Sequence, residues 1–376
     1  MVLAVADGVG GRLETARFVL FSAFPESDRA LEPPFDVVDF RPRDMIFRVL
    51  PAAVFSLLTL RNWRPRRGPA HCLSGCDVVS DVSGIAFVDG RGITLLVYNC
   101  LLVFLPWALG VQVIKVAQAL GPFDKPLNRL AARLALSRVA WIGLRGQETA
   151  QHVIRLGLNN SEPAADVAFL LEVDRQAAAA AVRELPDPDR VIMLIPSAVV
   201  DAMCRRHGID YVDRMAQLVQ SLSVRGHEVV LVAHSALVHG GRGTTDDLPV
   251  CRMIAGASPA VLLDGERDPR HLRALIARSH VLITSRFHAM ISGLATNVPT
   301  LVVGWSHKYR EVLAEFDLEE WALDLRAITD DSLLEAVIEL DRRSDEVRTK
   351  MGKALPAVRR NAELNVERLV EAVRAS

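Results

Sequence analysis

The chain has 376 residues, with 44 basic side chains against 45 acidic ones and a formal net charge of −1, so no electrostatic footprint for nucleic acid is present. Half of the residues are hydrophobic and 24% are charged, which excludes disordered and collagen-like chains. The length suits two domains of roughly 100 to 200 residues each. The five cysteines, Cys72, Cys76, Cys100, Cys204 and Cys251, are odd in number and lack the paired spacing of a disulfide framework, so a reducing cytoplasm is expected. His71, Cys72 and Cys76 in HCLSGC could hold a metal only with a fourth ligand from elsewhere, and no metal site is expected.

The N-terminal MVLAVADGVGGRLE lacks the basic start and long apolar run of a signal peptide. Its GVGG, Gly8 to Gly11, is not the GxGxxG fingerprint and follows no adequate strand, so a nicotinamide-binding domain is unsupported. Apolar strands then alternate with helical stretches: ARFVLFSAF, FDVVDF, CDVVSDVSG, GVQVIKVAQALG and VAWIGLRG. Four arginines, Arg61, Arg64, Arg66 and Arg67, cluster in RNWRPRRG, either as a solvated loop or as a contact for a polyanion or membrane surface. The stretch from Ile93 to Val116 is apolar enough to suggest a membrane span, but Asn99, Pro106, Gly110 and Gln112 interrupt it. It reads as a buried helix, a turn and a parallel strand covered on both faces. A hinge, ELPDPDR at 184–190, precedes a second alternation: VIMLIP, EVVLVAHS, AVLLDG, SHVLITS and PTLVVGW. Two doubly wound, Rossmann-like α/β domains are therefore predicted, 1–185 and 190–350, followed by a C-terminal helix, 351–376.

The run from Val281 to Val303, VLITSRFHAMISGLATNVPTLVV, carries the most chemistry. It reads as a βαβ unit in which Ser285 caps a helix beginning near Arg286. That helix would direct its free N–H groups and positive dipole end above the carboxyl edge of the sheet, where open α/β sheets bind ligands. With Arg286 and His288 added, the corner suits phosphate or carboxylate. The competing reading is a salt bridge from Arg286 and a satisfied polar His288. Other strand ends are similarly polar: Asp77, Asp81, Ser83, Gly84 and Asp89, then Gln118, Arg145, Glu148 and Asp166 in the first half. Ser197, His234 and Lys308 join Ser285, Arg286 and His288 in the second.

In this order, DVVSDVSGIAFVD, ALGPF, RGQET, ADVAFLL, Tyr211 to Gly226 and SRFHAMISGLATNVPTLVVGWSHKYRE, the motifs resemble those of the polysaccharide pyruvyl transferases from about Cys76 to about Asp324. The resemblance implies two domains facing a cleft, as in GT-B glycosyltransferases, and transfer of the pyruvyl group of phosphoenolpyruvate to sugar hydroxyls of a cell-surface glycan. The setting implied is bacterial cytoplasm, with the acceptor often lipid-linked and peripheral membrane association as a consequence. The departure is at the start, where the family's first strand and glycine- and asparagine-rich loop are missing or diverged.

Phosphoenolpyruvate carries a phosphate and a carboxylate, so Ser285, Arg286, Lys308, Ser197 and His234 are the expected donor-binding residues. His288 is the expected acid for protonating the enol carbon. Asp81 or Asp89 would orient or deprotonate the acceptor, although each also suits a cap or turn. Neither a metal nor a cofactor beyond the co-substrate is required. The rival expectations are a GT-B glycosyltransferase or sugar-nucleotide epimerase binding a nucleotide sugar, and a catalytically silent scaffold of the same fold.

Overall fold

The structure, a computed structural model, describes residues 1–61, 63–185, 191–236, 246–265, 268–304 and 307–376. Its contacts divide the chain into two compact units: Met1–Leu171 with Arg359–Ser376, and Glu172–Val358. The expected boundary falls partly on 186–190, outside the described residues, and the division itself comes earlier. The helix Arg175–Glu184 belongs to the second unit, because Ala177, Ala181 and Leu185 pack with Leu272, Leu275 and Ile276. Small alanines on that face permit the close approach. The terminal helix is also longer than expected, running from Ser344 to Ala375, and it joins the first unit only from Arg359 onward.

The first unit begins with the helix Val2–Gly10 and two short parallel strands, β1 (Val19–Ser22) and β2 (Asp36–Asp39), which form a sheet of their own. Then come β3 (Val78–Asp81), β4 (Ile85–Ala86), β5 (Gln112–Leu120), β6 (Trp141–Leu144) and β7 (Ser161–Pro163). These make a parallel sheet of order β3-β5-β6-β7, with β4 also on β5. The strand β5 is buried almost throughout, as expected for a strand covered on both faces. The apolar stretch before it is a helix, Ile93–Ala108, that accommodates Pro106 in its last turn. Gly110, at φ +84, ends the segment instead. Among the described residues no helix is long and apolar enough to cross a membrane.

Both chain ends lie against β5. Ala4, Val5 and Val9 pack with Val366, Leu369 and Val370 over Ile114, Val116 and Ala117. A Cβ at Gly8 would come within 2.6 Å of Val366 Cγ2, so this glycine permits a close helix contact rather than a phosphate turn. The β5-β6 register shifts between Lys115 and Gln118, which leaves the Ala117 N–H without a ladder partner. Fully buried Asn365 fills the gap: its Oδ1 accepts from Ala117 N at 2.7 Å and its Nδ2 donates to Ala165 O at 3.0 Å. Asn365→Leu should therefore destabilise the protein by about 2 to 4 kcal/mol, since two buried backbone groups would lose their partner. Urea unfolding is the check, and a loss below about 1 kcal/mol would mean the bulge finds another donor and acceptor.

The second unit has one sheet: β8 (Val191–Ile195), β9 (Glu228–Val232), β10 (Val261–Leu263), β11 (Val281–Thr284), β12 (Thr300–Val303) and β13 (Ala322–Leu323). All pairs are parallel in the order β10-β9-β8-β11-β12-β13. This is the doubly wound arrangement 3-2-1-4-5-6, with crossovers leaving in opposite directions from β8 and β11. Those two central strands are buried at every position. Ligand sites in such sheets lie outside the carboxyl ends at that reversal.

Candidate functional site

Ser197 and Ala198 follow β8, His234 and Ser235 follow β9, Ser285, Arg286 and His288 follow β11, and Lys308 follows β12. Strand pairing thus gathers residues more than a hundred positions apart at one edge. The helix after β11, Phe287–Ala295, lies close on the sheet because Gly293 has no side chain: a Cβ there would sit 2.2 Å from Thr300 Oγ1.

The charged centre of this edge is Asp247, which the sequence analysis did not single out. Its side chain is fully enclosed. Oδ1 accepts from Ala198 N at 2.9 Å, and Oδ2 accepts from Ser235 N at 3.0 Å. Arg286 Nη2 also donates to Oδ1. One carboxylate therefore ties the ends of β8, β9 and β11 together and answers the positive end of the helix Ala198–Arg206. Burial raises the pKa of Asp247 above the usual carboxylate range, against the opposing pull of Arg286 and the two backbone donors. The salt-bridge reading of Arg286 is thus realised, while its side chain keeps 19% exposure at the sheet edge.

The N-cap position belongs to Arg286 rather than to Ser285, correcting that expectation. Ser285 is buried, and its Oγ donates to Val303 O at 2.7 Å while accepting from the Tyr211 hydroxyl at 2.8 Å. Its carbonyl accepts from the Tyr309 hydroxyl at 3.0 Å. Its hydroxyl is thereby committed to joining strands and helices. Ser197 does cap a helix, its Oγ accepting from Val200 N, and it too is buried.

Tyr309 helps place the next cation. Lys308 Nζ lies 5.4 Å from the ring centroid of Phe287 and 5.4 Å from that of Tyr309. Phe287 also packs edge-on against His288, with centroids 5.5 Å apart. Lys308 and His288 are therefore both brought to the start of the helix Phe287–Ala295. Burial pushes the pKa of His234 down to about 3, with the charges of His288 and Arg286 adding to the effect. His234 is consequently a neutral imidazole near pH 7, able to donate and accept one hydrogen bond each.

In the first unit, the carboxyl ends of β3 and β6 hold a second polar group, which Lys115 reaches from within β5. Asp81 Oδ2 accepts from the buried Lys115 Nζ, and its Oδ1 accepts from Ser83 N at 2.9 Å. Burial opposes ionisation, but Lys115 and the Ser83 N–H prevail and hold the Asp81 pKa below the usual range. Arg145 donates to Asp166 Oδ2 at 2.6 Å and to Gly84 O at 2.8 Å, fixing the turn after β3. Asp89 takes the cap geometry that was the alternative to its expected catalytic role. It accepts from Asp124 N at 2.6 Å, Lys125 N at 3.1 Å and Asn128 Nδ2 at 2.8 Å, just before the helix Pro126–Leu136. Despite some desolvation, these donors depress its pKa and make it a poor base.

Two α/β units with Rossmann-like parallel sheets define a fold of the GT-B-like class. The fold is similar to MnaA of S. aureus, solved with UDP: TM-score 0.59, 14% identity, 98% of this chain and 90% of that one. It is also similar to the UDP-GlcNAc 2-epimerase of Neisseria meningitidis bound to UDP-GlcNAc, with TM-score 0.52 and 11% identity, covering 94% and 98% of the two chains. A UDP-forming α,α-trehalose-phosphate synthase of Burkholderia xenovorans matches at TM-score 0.53 and 14% identity, covering 99% and 97%. In sequence, the chain is 23% identical over 305 residues to the amylovoran biosynthesis protein AmsJ of Erwinia amylovora, 74% of this chain and 69% of that protein. The family model for polysaccharide pyruvyl transferase matches residues 1–307, and the chain belongs to that family. It is an enzyme of polysaccharide modification.

Proposed function

We propose that the enzyme transfers the pyruvyl group of phosphoenolpyruvate to two hydroxyls of a sugar in a cell-surface glycan or its lipid-linked precursor, forming a pyruvate ketal. The observation that carries this reading is the grouping of Arg286, Lys308, His288 and neutral His234 at the carboxyl edge of the second sheet. A donor with both phosphate and carboxylate is matched by such a set. In this reading Arg286 and Lys308 hold the anionic groups, Ser197 and Ser285 keep the strand ends in place, and His234 orients the donor as a neutral hydrogen-bond partner. His288 donates a proton to the methylene carbon, which leaves the adjacent carbon oxocarbenium-like. One sugar hydroxyl adds there, phosphate departs, and a second hydroxyl closes the ketal. Of the two hydroxyl protons, one replaces the proton given by His288 and the other leaves with phosphate.

Asp81 is assigned to orienting the acceptor. Its depressed pKa and Lys115 partner fit a fixed hydrogen-bond acceptor better than a base. The test is phosphate release on incubation with phosphoenolpyruvate and a panel of lipid-linked or nitrophenyl sugars. Thermal unfolding runs alongside: phosphoenolpyruvate at a hundred times its Kd should stabilise by about 2.7 kcal/mol. Stabilisation by a nucleoside diphosphate alone, with no phosphate released from any acceptor, would replace this reading by a nucleotide-sugar enzyme.

A further inference from the structure

Residues 42–58 are helical throughout, with a wider turn at Met45–Val49 just before Pro51. One face is well packed: Met45, Val49 and Ala53 join the core with Leu73, Leu105 and Val111. The other face is apolar as well, yet exposed. Phe47 is 77% exposed, Leu58 76% and, just beyond the helix, Leu60 83%. Val54 and Phe55 add to the same outer surface, and the Trp63 ring stands edge-on to Phe55 at 4.9 Å. A solvent-facing helix normally carries polar groups there. Contiguous exposed apolar area of this kind marks an interaction site.

Within this segment the exposed charge is of one sign. Between Pro42 and Gly68 the sequence has six arginines and one acidic residue, Asp44. Asp44 is buried and accepts from Arg48 Nη1 at 3.2 Å. Arg43, Arg64, Arg66 and Arg67 are exposed, and Arg48 Nη2 lies 3.8 Å from where a Cβ at Gly68 would be, which brings both ends of the basic set together. Arg61 is held against the Trp107 ring, 5.0 Å from its centroid.

We infer that this face docks on an anionic phospholipid surface: Phe47, Val54, Phe55, Leu58 and Leu60 enter the headgroup boundary, Trp63 lies at the interface, and Arg43, Arg48, Arg64, Arg66 and Arg67 meet the lipid phosphates. An amphipathic helix with bulky apolar residues and a basic rim binds membranes in this way, lying in the interface rather than crossing it. A second copy is a poor occupant, because a two-fold contact sets each patch against itself and brings the arginine sets face to face. Delivery of a lipid-linked acceptor by this docking rests on the reaction proposed above. Lipid binding itself requires neither donor nor acceptor, so either can fail alone.

The test is co-sedimentation of the full chain with vesicles of equal parts phosphatidylglycerol and phosphatidylcholine, and with phosphatidylcholine vesicles alone. Binding is expected to the former and to weaken with salt. The variant Arg64→Gln/Arg66→Gln/Arg67→Gln should bind about a hundred-fold more weakly, from about five-fold per arginine. Phe47→Ser/Leu58→Ser/Leu60→Ser should abolish binding while melting like the parent, since those side chains are exposed in the folded protein. Phospholipids brominated on their acyl chains should quench tryptophan fluorescence in the parent but much less in Trp63→Phe. The inference is overturned if the parent ignores both vesicle types, or if the serine variant binds as the parent does. It is equally overturned if the parent is a dimer without lipid and the serine variant is a monomer.

Discussion

Arg286→Ala is expected to lower stability by about 3 to 5 kcal/mol at neutral pH, more than the loss of one surface arginine would cause. The reason is Asp247, whose carboxylate is fully enclosed and would keep only its backbone donors. Its pKa already lies above the usual range because burial outweighs Arg286, and removing Arg286 takes away an opposing influence. A folded-state pKa above the unfolded value means that the native state binds the proton more tightly. The associated stability is present below the unfolded pKa and is lost as pH rises through the folded one. The deficit of Arg286→Ala should therefore be small in mild acid and grow toward neutrality. Arg286→Ala/Asp247→Asn should recover part of the loss and remove its pH dependence. Urea titrations across pH test this, and a pH-independent deficit in Arg286→Ala would separate Asp247 from it. The double variant also isolates ligand binding. If Arg286 holds the donor, calorimetry should give phosphoenolpyruvate affinity weakened ten-fold to a hundred-fold, the loss of one charge-assisted contact of about 1.5 to 3 kcal/mol. Unchanged affinity in a folded protein would leave Arg286 as a partner of Asp247 alone.

That single carboxylate also marks the limit of sequence reading. Ten of the strands are legible from apolar runs, which are unbroken where a parallel strand is covered on both faces, as in VIMLIP and VLITS. The short strands β4, β7 and β13 lack such runs and were not separated from their loops. Ser285, Arg286 and His288 stood out because polar residues ended an apolar strand before a helical pattern. Asp247 had no such frame: it is followed by Leu248 and Pro249, a local helix-start signal, and its decisive partner is 39 positions away. Lys115 was hidden differently, inside VQVIKV, where its charge is tolerated only because Asp81 reaches it from the neighbouring strand. Pairings set by strand order cannot be read from spacing.

The aspartates at and beyond the end of β3 show how local chemistry divides similar residues. Asp81 and Asp89 both follow an apolar segment in one quoted motif, and both are held below the usual carboxylate pKa. Asp89 achieves this through two backbone donors and an amide, the arrangement of a cap. Asp81 does so through a buried lysine in the sheet, so its charge is fixed at a strand end. Asp81 is also the more deeply buried of the two, and the role proposed for it above rests on that fixed charge.

His288→Asn is expected to lower turnover by about 10² to 10⁴-fold while changing phosphoenolpyruvate affinity much less, because proton delivery acts in the transition state and not in donor binding. The histidine stands beside Phe287 at the start of a helix that Gly293 lets down onto the sheet, and near Arg286 and Lys308. Asparagine retains a hydrogen-bonding side chain but supplies no proton near neutral pH. His234 cannot take over, since its pKa near 3 leaves it without a proton to give as an imidazolium. A pH dependence of turnover that disappears in His288→Asn would therefore not come from His234. Phosphate-release kinetics and thermal unfolding should be measured on the same preparation. A residue that merely supports the fold behaves oppositely: its variant melts several degrees lower, yet the molecules that remain folded turn over at the parent rate. That outcome would move the proton donor elsewhere and leave His288 as packing for the helix that carries it.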